Sequence, residues 1–171
     1  RTAMSGQPAT RPHLLCLSAF ASERRGTLRF RTLPMLRRLR QLGWRVTLLL
    51  PGWDLAPAQV NQAKWLLRSF DYHLLPPLHR PSLAWQFHYS RAMVQWTLRL
   101  QPDVVLAAKA VGAPALTLTA LRAVRATGKW SGELWLDSDD WEGSDGWSRT
   151  MPAAQRLAVS LLEKNALHAA D

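Results

Sequence analysis

The densest run of reactive side chains is Leu136-Asp137-Ser138-Asp139-Asp140-Trp141-Glu142-Gly143-Ser144-Asp145-Gly146-Trp147, which places five acids within nine residues of a basic protein. Carboxylates this close repel one another, and a cation, hydroxyl-rich ligand, neighbouring arginines or open solvent must offset the repulsion. Trp141 and Trp147 add flat apolar surfaces suited to stacking on a sugar ring or to plugging the end of a sheet. A second stretch, Ser22-Glu23-Arg24-Arg25-Gly26-Thr27, sets a glycine just ahead of a helix, where backbone amides and the helix dipole favour a phosphate. Arg24 and Arg25 would add positive charge there, and the glycine also has a plain turn role open to it. Lys109-Ala110-Val111-Gly112 offers a lysine that could reach an anion or simply sit in solvent. In Trp53-Asp54 the aspartate is expected to cap the helix that follows.

Positioning these groups falls to a regular alternation of strands and helices. His13 to Ala19 is apolar on both faces, like a doubly buried strand. From Leu28 to Leu42 the leucines recur at helical spacing between arginines, with Gly43 where a C-cap belongs and Pro34 marking where the helix proper begins. Trp44 to Leu50 reads as a second strand closed by Pro51-Gly52. The pattern continues with a helix over 58–70, a strand over 72–75, a break at Pro76-Pro77 and a helix over 83–100. A strand over 103–107, a helix over 113–127, a strand over 133–137 and a helix over 152–169 complete it. Such alternation implies an α/β, Rossmann-like, mostly parallel sheet with helices on both faces, because parallel strands need right-handed crossovers. In that architecture ligands bind beyond the carboxyl ends of the strands, which is where all four stretches fall.

Composition narrows the class. The 171 residues, 47% hydrophobic, suffice for the core of one domain. The single cysteine, Cys16, sits in an apolar strand, reads as a buried thiol and points to a reducing, cytoplasmic setting. No apolar run reaches the ~20 residues of a membrane span, and the first dozen residues lack the apolar segment of a signal peptide. Residues 1–12 are expected to form a disordered tail and 13–171 the domain, with both ends cut from a longer product. The net charge of +10 admits nucleic acid, an anionic membrane surface or a phosphorylated small molecule as partner. No zinc-finger spacing, aromatic RNA-binding signature or basic heptad is present, so nucleic acid is not expected. Arginines concentrate in the first loop and helix, a solvated basic face that would also suit peripheral contact with anionic membrane. The five histidines show no ligand pair at helical or strand spacing, and no metal is assigned to them.

Taken together, the chain resembles the N-terminal half of a GT-B glycosyltransferase of the family 4 kind. One part of the resemblance is the opening strand, the basic glycine loop and Leu39-Arg40-Gln41-Leu42-Gly43-Trp44-Arg45-Val46, which is similar to the family's glycine-histidine lead-in to strand two, with Trp44 in place of the histidine. The other is the acidic loop followed by Gly146-Trp147 and a helix ending His168-Ala169-Ala170-Asp171. The resemblance implies retaining transfer of a sugar from a nucleotide-diphosphate donor to a saccharide or lipid-linked acceptor, with the donor held mainly by a C-terminal domain that would follow residue 171. It places the donor phosphate at Gly26, Thr27, Arg24, Arg25 and Lys109. It brings Asp139 or Asp140 to the reacting sugar, with Asp137, Trp141, Glu142 and Trp147 as acceptor or sugar contacts. Positive charge on the leaving diphosphate is the electrostatic help such a transfer needs most. Asp137-Ser138-Asp139 also matches the D-x-D of metal-dependent sugar-nucleotide transferases, and carboxylates suit a hard cation. GT-B enzymes generally need no metal, so the resemblance implies neither metal nor other cofactor.

Two readings from other classes compete. A non-catalytic domain could recognise a nucleotide or a partner at the same sheet edge, since fold alone does not fix function. A phospho-acceptor receiver would draw on the acid cluster, but receivers place paired acids after the first strand, where this chain has only Glu23.

Overall fold

The structure is a computed structural model, and it describes residues 11–21, 26–77, 83–138 and 146–171. Five strands, β1 (His13–Ser18), β2 (Arg45–Pro51), β3 (Asp71–Leu75), β4 (Val104–Ala108) and β5 (Glu133–Asp137), form one parallel sheet in the order β3-β2-β1-β4-β5. The connecting helices are α1 (Leu33–Gln41), α2 (Val60–Leu67), α3 (Leu83–Leu100) and α4 (Gly112–Ala126), and α5 (Ala153–Ala169) follows β5. The Rossmann-like α/β class expected from the alternation is the one observed.

Strand residues alternate between two cores because successive side chains point to opposite faces. Leu14, Cys16, Leu48, Leu50, Val104 and Leu106 pack on one side with Leu33 and Leu36 of α1 and Leu67 of α2. Leu15, Leu17, Leu49, Val105, Ala107 and Leu134 pack on the other with Tyr89 and Met93 of α3, Leu118 and Leu121 of α4, and Ala166 of α5. Both faces of β1 are therefore apolar, which is why His13–Ser18 carries no polar alternation.

Local departures from the expected boundaries have physical causes. The first helical segment opens as a wide π turn over Leu28–Thr32, in which the Leu33 N–H reaches the Leu28 carbonyl, and only then tightens into α1. Pro34 has no N–H for the Phe30 carbonyl and its ring would crowd that oxygen in a regular turn; the widened register relieves both. At the other end the Gly43 N–H donates to the Arg40 carbonyl and the Trp44 N–H to the Leu39 carbonyl, at 3.0 and 3.1 Å, with Gly43 at φ +94°. This C-terminal motif consumes the Trp44 N–H, so β2 starts at Arg45 rather than at Trp44. Sheet bonding reaches back to Pro12, whose carbonyl accepts the Arg45 N–H at 2.9 Å; the rest of the segment 1–12, Arg11 apart, lies outside the described residues.

Candidate functional site at the carboxyl edge of the sheet

The chain runs from β1 outward to β2 on one side and from β4 outward to β5 on the other, so the strand order reverses between β1 and β4. Loops leaving the carboxyl ends of two such strands diverge and leave a crevice, the place where open parallel sheets bind ligands. Ser18 and Ala108, the last paired residues of β1 and β4, lie where those loops begin.

After β1 the backbone is pinned from several directions. Ser18 Oγ donates to the Phe20 carbonyl at 2.6 Å, and the Trp53 indole donates to the Ala19 carbonyl at 3.1 Å. The Ala21 N–H donates to Asp54 Oδ1 at 2.9 Å. Asp54 was expected to cap the helix after β2; instead it ties the β1 exit to the β2 exit. The helical turn at Pro57–Gln59 begins after Ala56, two residues beyond Asp54, and there the Gln59 side chain accepts the Ala56 N–H at 3.1 Å. Asp54 is simply too far back to serve that terminus.

Gly26 has φ +72°, a left-handed conformation that glycine adopts without penalty, and its carbonyl accepts the Phe30 N–H at 2.8 Å. It thus turns the chain into the first helical segment, with Thr27 as the residue before the π turn. Arg24 and Arg25 lie outside the described residues.

Lys109 is the most unusual residue at this edge. It follows β4 directly and holds φ +108°, where an L side chain is strained, and its side chain is buried at 8% exposure. The alternative of a solvated loop lysine is therefore excluded. Its N–H donates to the Asp137 carbonyl at 3.0 Å, joining the exits of β4 and β5. Three residues on, Gly112 at φ +60° opens α4, whose first turn carries no acidic residue and whose N-terminus accepts no side-chain cap. Backbone donors at such a terminus attract anions.

Asp137, at the end of β5, makes a bidentate pair with Arg31 of the π turn. The guanidinium Nε lies 2.9 and 3.1 Å from the two carboxylate oxygens, and Nη2 lies 2.5 Å from Oδ1. One of the acids therefore finds its counter-charge in an arginine, one of the compensations its crowding calls for. Arg31 was not singled out as a site residue by the sequence; the only signal was the excess of arginines in that helix. Asp139, Asp140, Trp141 and Glu142 lie outside the described residues, as does the side chain of Trp147, whose backbone starts a short turn over Trp147–Thr150. The structure thus brings Gly26, Thr27, Lys109 and Asp137 to one edge of the sheet.

An aromatic series also borders the edge. Phe20 lies 5.7 Å from Trp53, Trp53 4.7 Å from Trp85, and Trp85 5.8 Å from Tyr89, whose hydroxyl donates to the Pro76 carbonyl at 2.9 Å. Residues far apart in sequence supply it, so no local pattern announced it.

Two histidines, His13 and His73, are occupied with packing. His13 Nε2 lies 3.0 Å from Thr47 Oγ1, and His73 stacks on Trp96 at 3.9 Å; burial lowers the pKa of both, helped at His13 by Arg45. Among the described residues no three His, Cys, Asp or Glu side chains gather as a metal-ligand group. No helix among them is long and apolar enough to cross a membrane.

No protein-family model and no curated protein sequence matches the chain. Solved structures do. A protein from Listeria monocytogenes assigned as a UDP-N-acetylglucosamine 2-epimerase superimposes with a TM-score of 0.61 at 10% identity, over 94% of this chain and 38% of its own. Arabidopsis thaliana UGT89C1, in complex with UDP-L-rhamnose, matches with a TM-score of 0.39 at 16% identity, over 74% of this chain and 33% of its own. The chain spans less than two fifths of the length of either structure. At 10% identity the first likeness shows a shared fold, the parallel Rossmann-like domain described above.

Proposed function

We propose that the chain is the acceptor-side Rossmann-like domain of a cytoplasmic GT-B glycosyltransferase of the family 4 kind, which transfers a sugar from a nucleotide-diphosphate donor to a saccharide or lipid-linked acceptor with retention. The observation that carries this reading is Lys109: a buried lysine held in a strained backbone at the strand-order reversal, three residues before the start of α4, whose N-terminus has no side-chain cap. A diphosphate leaving group needs this combination of fixed positive charge and backbone donors. Gly26 and Thr27 line the neighbouring loop, and Arg24 and Arg25 extend its charge. In the same reading Asp139 or Asp140 approaches the reacting sugar, while Asp137, Trp141, Glu142 and Trp147 shape the acceptor side. The fold-level likeness to an assigned UDP-sugar epimerase agrees with this class. In this reading the acidic loop acts without a bound cation, and Asp137 is paired with Arg31.

The test uses the product of the whole gene, assayed for nucleotide-sugar hydrolysis and transfer with a panel of UDP- and GDP-sugars. Activity that falls at least about a hundredfold in Lys109→Ala and in Asp139→Ala or Asp140→Ala, with folding intact, is the expected result. Nucleotide binding without any transfer would replace the enzyme by a binding module. Wild-type activity in all three variants would remove the site from this edge.

A further inference from the structure

We propose that the back of α1 and α2 is a docking surface for anionic lipid, and that the chain rests on a membrane by this face without entering it. Both helices cover the same side of the sheet, and the Arg40 guanidinium of α1 lies 5.4 Å from the ring centre of Phe70, three residues past the end of α2. Turned away from the core are Phe30, Arg37 and Arg38 on the first helical segment and Lys64, Trp65 and Arg68 on the second. Their spacing is helical: residues 30, 34, 37, 38 and 41 form one outward stripe, and 61, 64, 65 and 68 the other, opposite the buried Leu33, Leu36, Ala63 and Leu67. No aspartate or glutamate occurs between Leu28 and Gln41 or between Pro57 and Phe70. The helices on the opposite side, α3, α4 and α5, spread Arg91, Arg99, Arg122, Arg125, Arg156 and Lys164 over nearly three times the helical length, and α5 carries an acid, Glu163.

Charge alone would make this a solvated basic face. The second feature is apolar: Phe30 is 75% exposed and Trp65 62%, and Leu42, at the end of α1, is 61% exposed. Large side chains in water among cations are the composition of helices that lie in a bilayer interface, where apolar groups enter the acyl boundary and basic groups meet phosphates. Phe30 and Trp65 each have an arginine over the ring, Arg29 at 5.3 Å and Arg68 at 4.8 Å from the centroid. A guanidinium there covers the surface on which a nucleic-acid base would stack, yet leaves ring edges free to enter lipid. The surface is also formed by the backs of helices rather than by a groove that could follow a phosphodiester strand. The inference is independent of the nucleotide-sugar reading, since it uses none of the site residues.

The test is co-sedimentation of the chain with phosphatidylcholine vesicles, with and without one third phosphatidylglycerol, at physiological salt. Binding to the anionic vesicles at least about tenfold stronger than to neutral ones is expected. Two double variants separate the contributions: Arg37→Glu with Arg38→Glu, and Phe30→Ser with Trp65→Ser. All four positions are exposed, so circular dichroism and the melting temperature should stay as in the parent. Each variant is expected to lose at least about tenfold in vesicle binding. Equal binding by the Phe30→Ser, Trp65→Ser variant would leave only a diffuse basic face and overturn the proposal. So would tighter binding to single- or double-stranded oligonucleotides than to anionic vesicles at the same salt, or no vesicle binding by the parent.

Discussion

Arg31 and Asp137 meet as a bidentate ion pair across 106 residues of chain, fastening the turn that precedes α1 to the end of β5. The same aspartate receives the Lys109 N–H on its carbonyl, so one residue links three loops at the edge of the sheet.

The pair should matter more to function than to stability. Arg31 is 47% exposed and Asp137 15%, so solvent screens much of their attraction and the stability loss in Arg31→Ala should not exceed about 1 kcal/mol. For a chain of this size that is a fall of about 3 °C in melting temperature. If the proposed function holds, sugar-nucleotide turnover by the whole gene product should fall further than that stability change explains, because the end of β5 loses its tie to the turn before α1. Scanning calorimetry beside the kinetic assay checks this; turnover at the parental level would confine the pair to a structural role.

Lys109 gives a sharper test, because two truncations remove the same side chain and differ only in backbone freedom. At φ +108° alanine keeps the strain and glycine releases it, so Lys109→Gly should be more stable than Lys109→Ala by about 1–2 kcal/mol. Nucleotide-sugar affinity should drop alike in both. Urea unfolding reads the first statement and titration calorimetry on the whole gene product the second. Identical stabilities would show that the unusual φ carries no strain.

Acid should weaken the fold in two separate windows. His13 and His73 are held neutral by burial, so their folded pKa values lie below 6.5. The unfolded chain then binds more protons, and their contribution, complete above pH 6.5, declines as the pH falls through that value toward the folded pKa. Asp171 behaves differently: hydrogen bonds from Arg125 and from the Leu134 N–H lower its carboxyl from 3.8 to about 2. Its contribution is complete above 3.8 and is lost as the pH falls through about 2. Replacing His13 by Gln, which keeps a polar partner for Thr47, should flatten the upper window. Asp171→Asn should flatten the lower one. Denaturation midpoints measured across pH separate the two effects, and an unchanged profile in either variant would remove that residue from the account.

Cys16 should be chemically silent in the native state. It is fully buried, and desolvation first, with the Asp137 charge adding to it, pushes the thiol up to about 12. Only the thiolate attacks disulfide reagents, so labelling should wait for global opening and follow the unfolding rate. Rapid labelling of folded protein would contradict the packing of β1.

Much of the framework was legible in the residues alone. α3 and β5 run over the expected 83–100 and 133–137, because Pro76-Pro77, Pro102 and Gly132 punctuate them and their apolar content is dense. Gly132 also has no room for a side chain, since a Cβ there would lie 2.4 Å from the Trp130 ring and 2.6 Å from the Pro102 and Asp103 carbonyls. The site was legible only as a set of loops. Gly26, Lys109 and Asp137 could be picked out because they follow strands or precede helices, and that is a local property. Asp54 shows the limit of such reasoning: its type favours a cap, but it accepts the N–H of Ala21, 33 residues earlier.

The sequence by itself determined the alternation of strands and helices, the parallel sheet with two covered faces, and the basic, acid-free character of α1 and α2. These follow from side-chain periodicity and backbone punctuation, which act over a few residues. Only the tertiary structure decided the order β3-β2-β1-β4-β5, the burial of Lys109, the aromatic series from Phe20 to Tyr89 and the Arg31–Asp137 pair. Each of these depends on which strand lies beside which. That choice is made by packing two apolar faces at once, and no local stretch of sequence carries it.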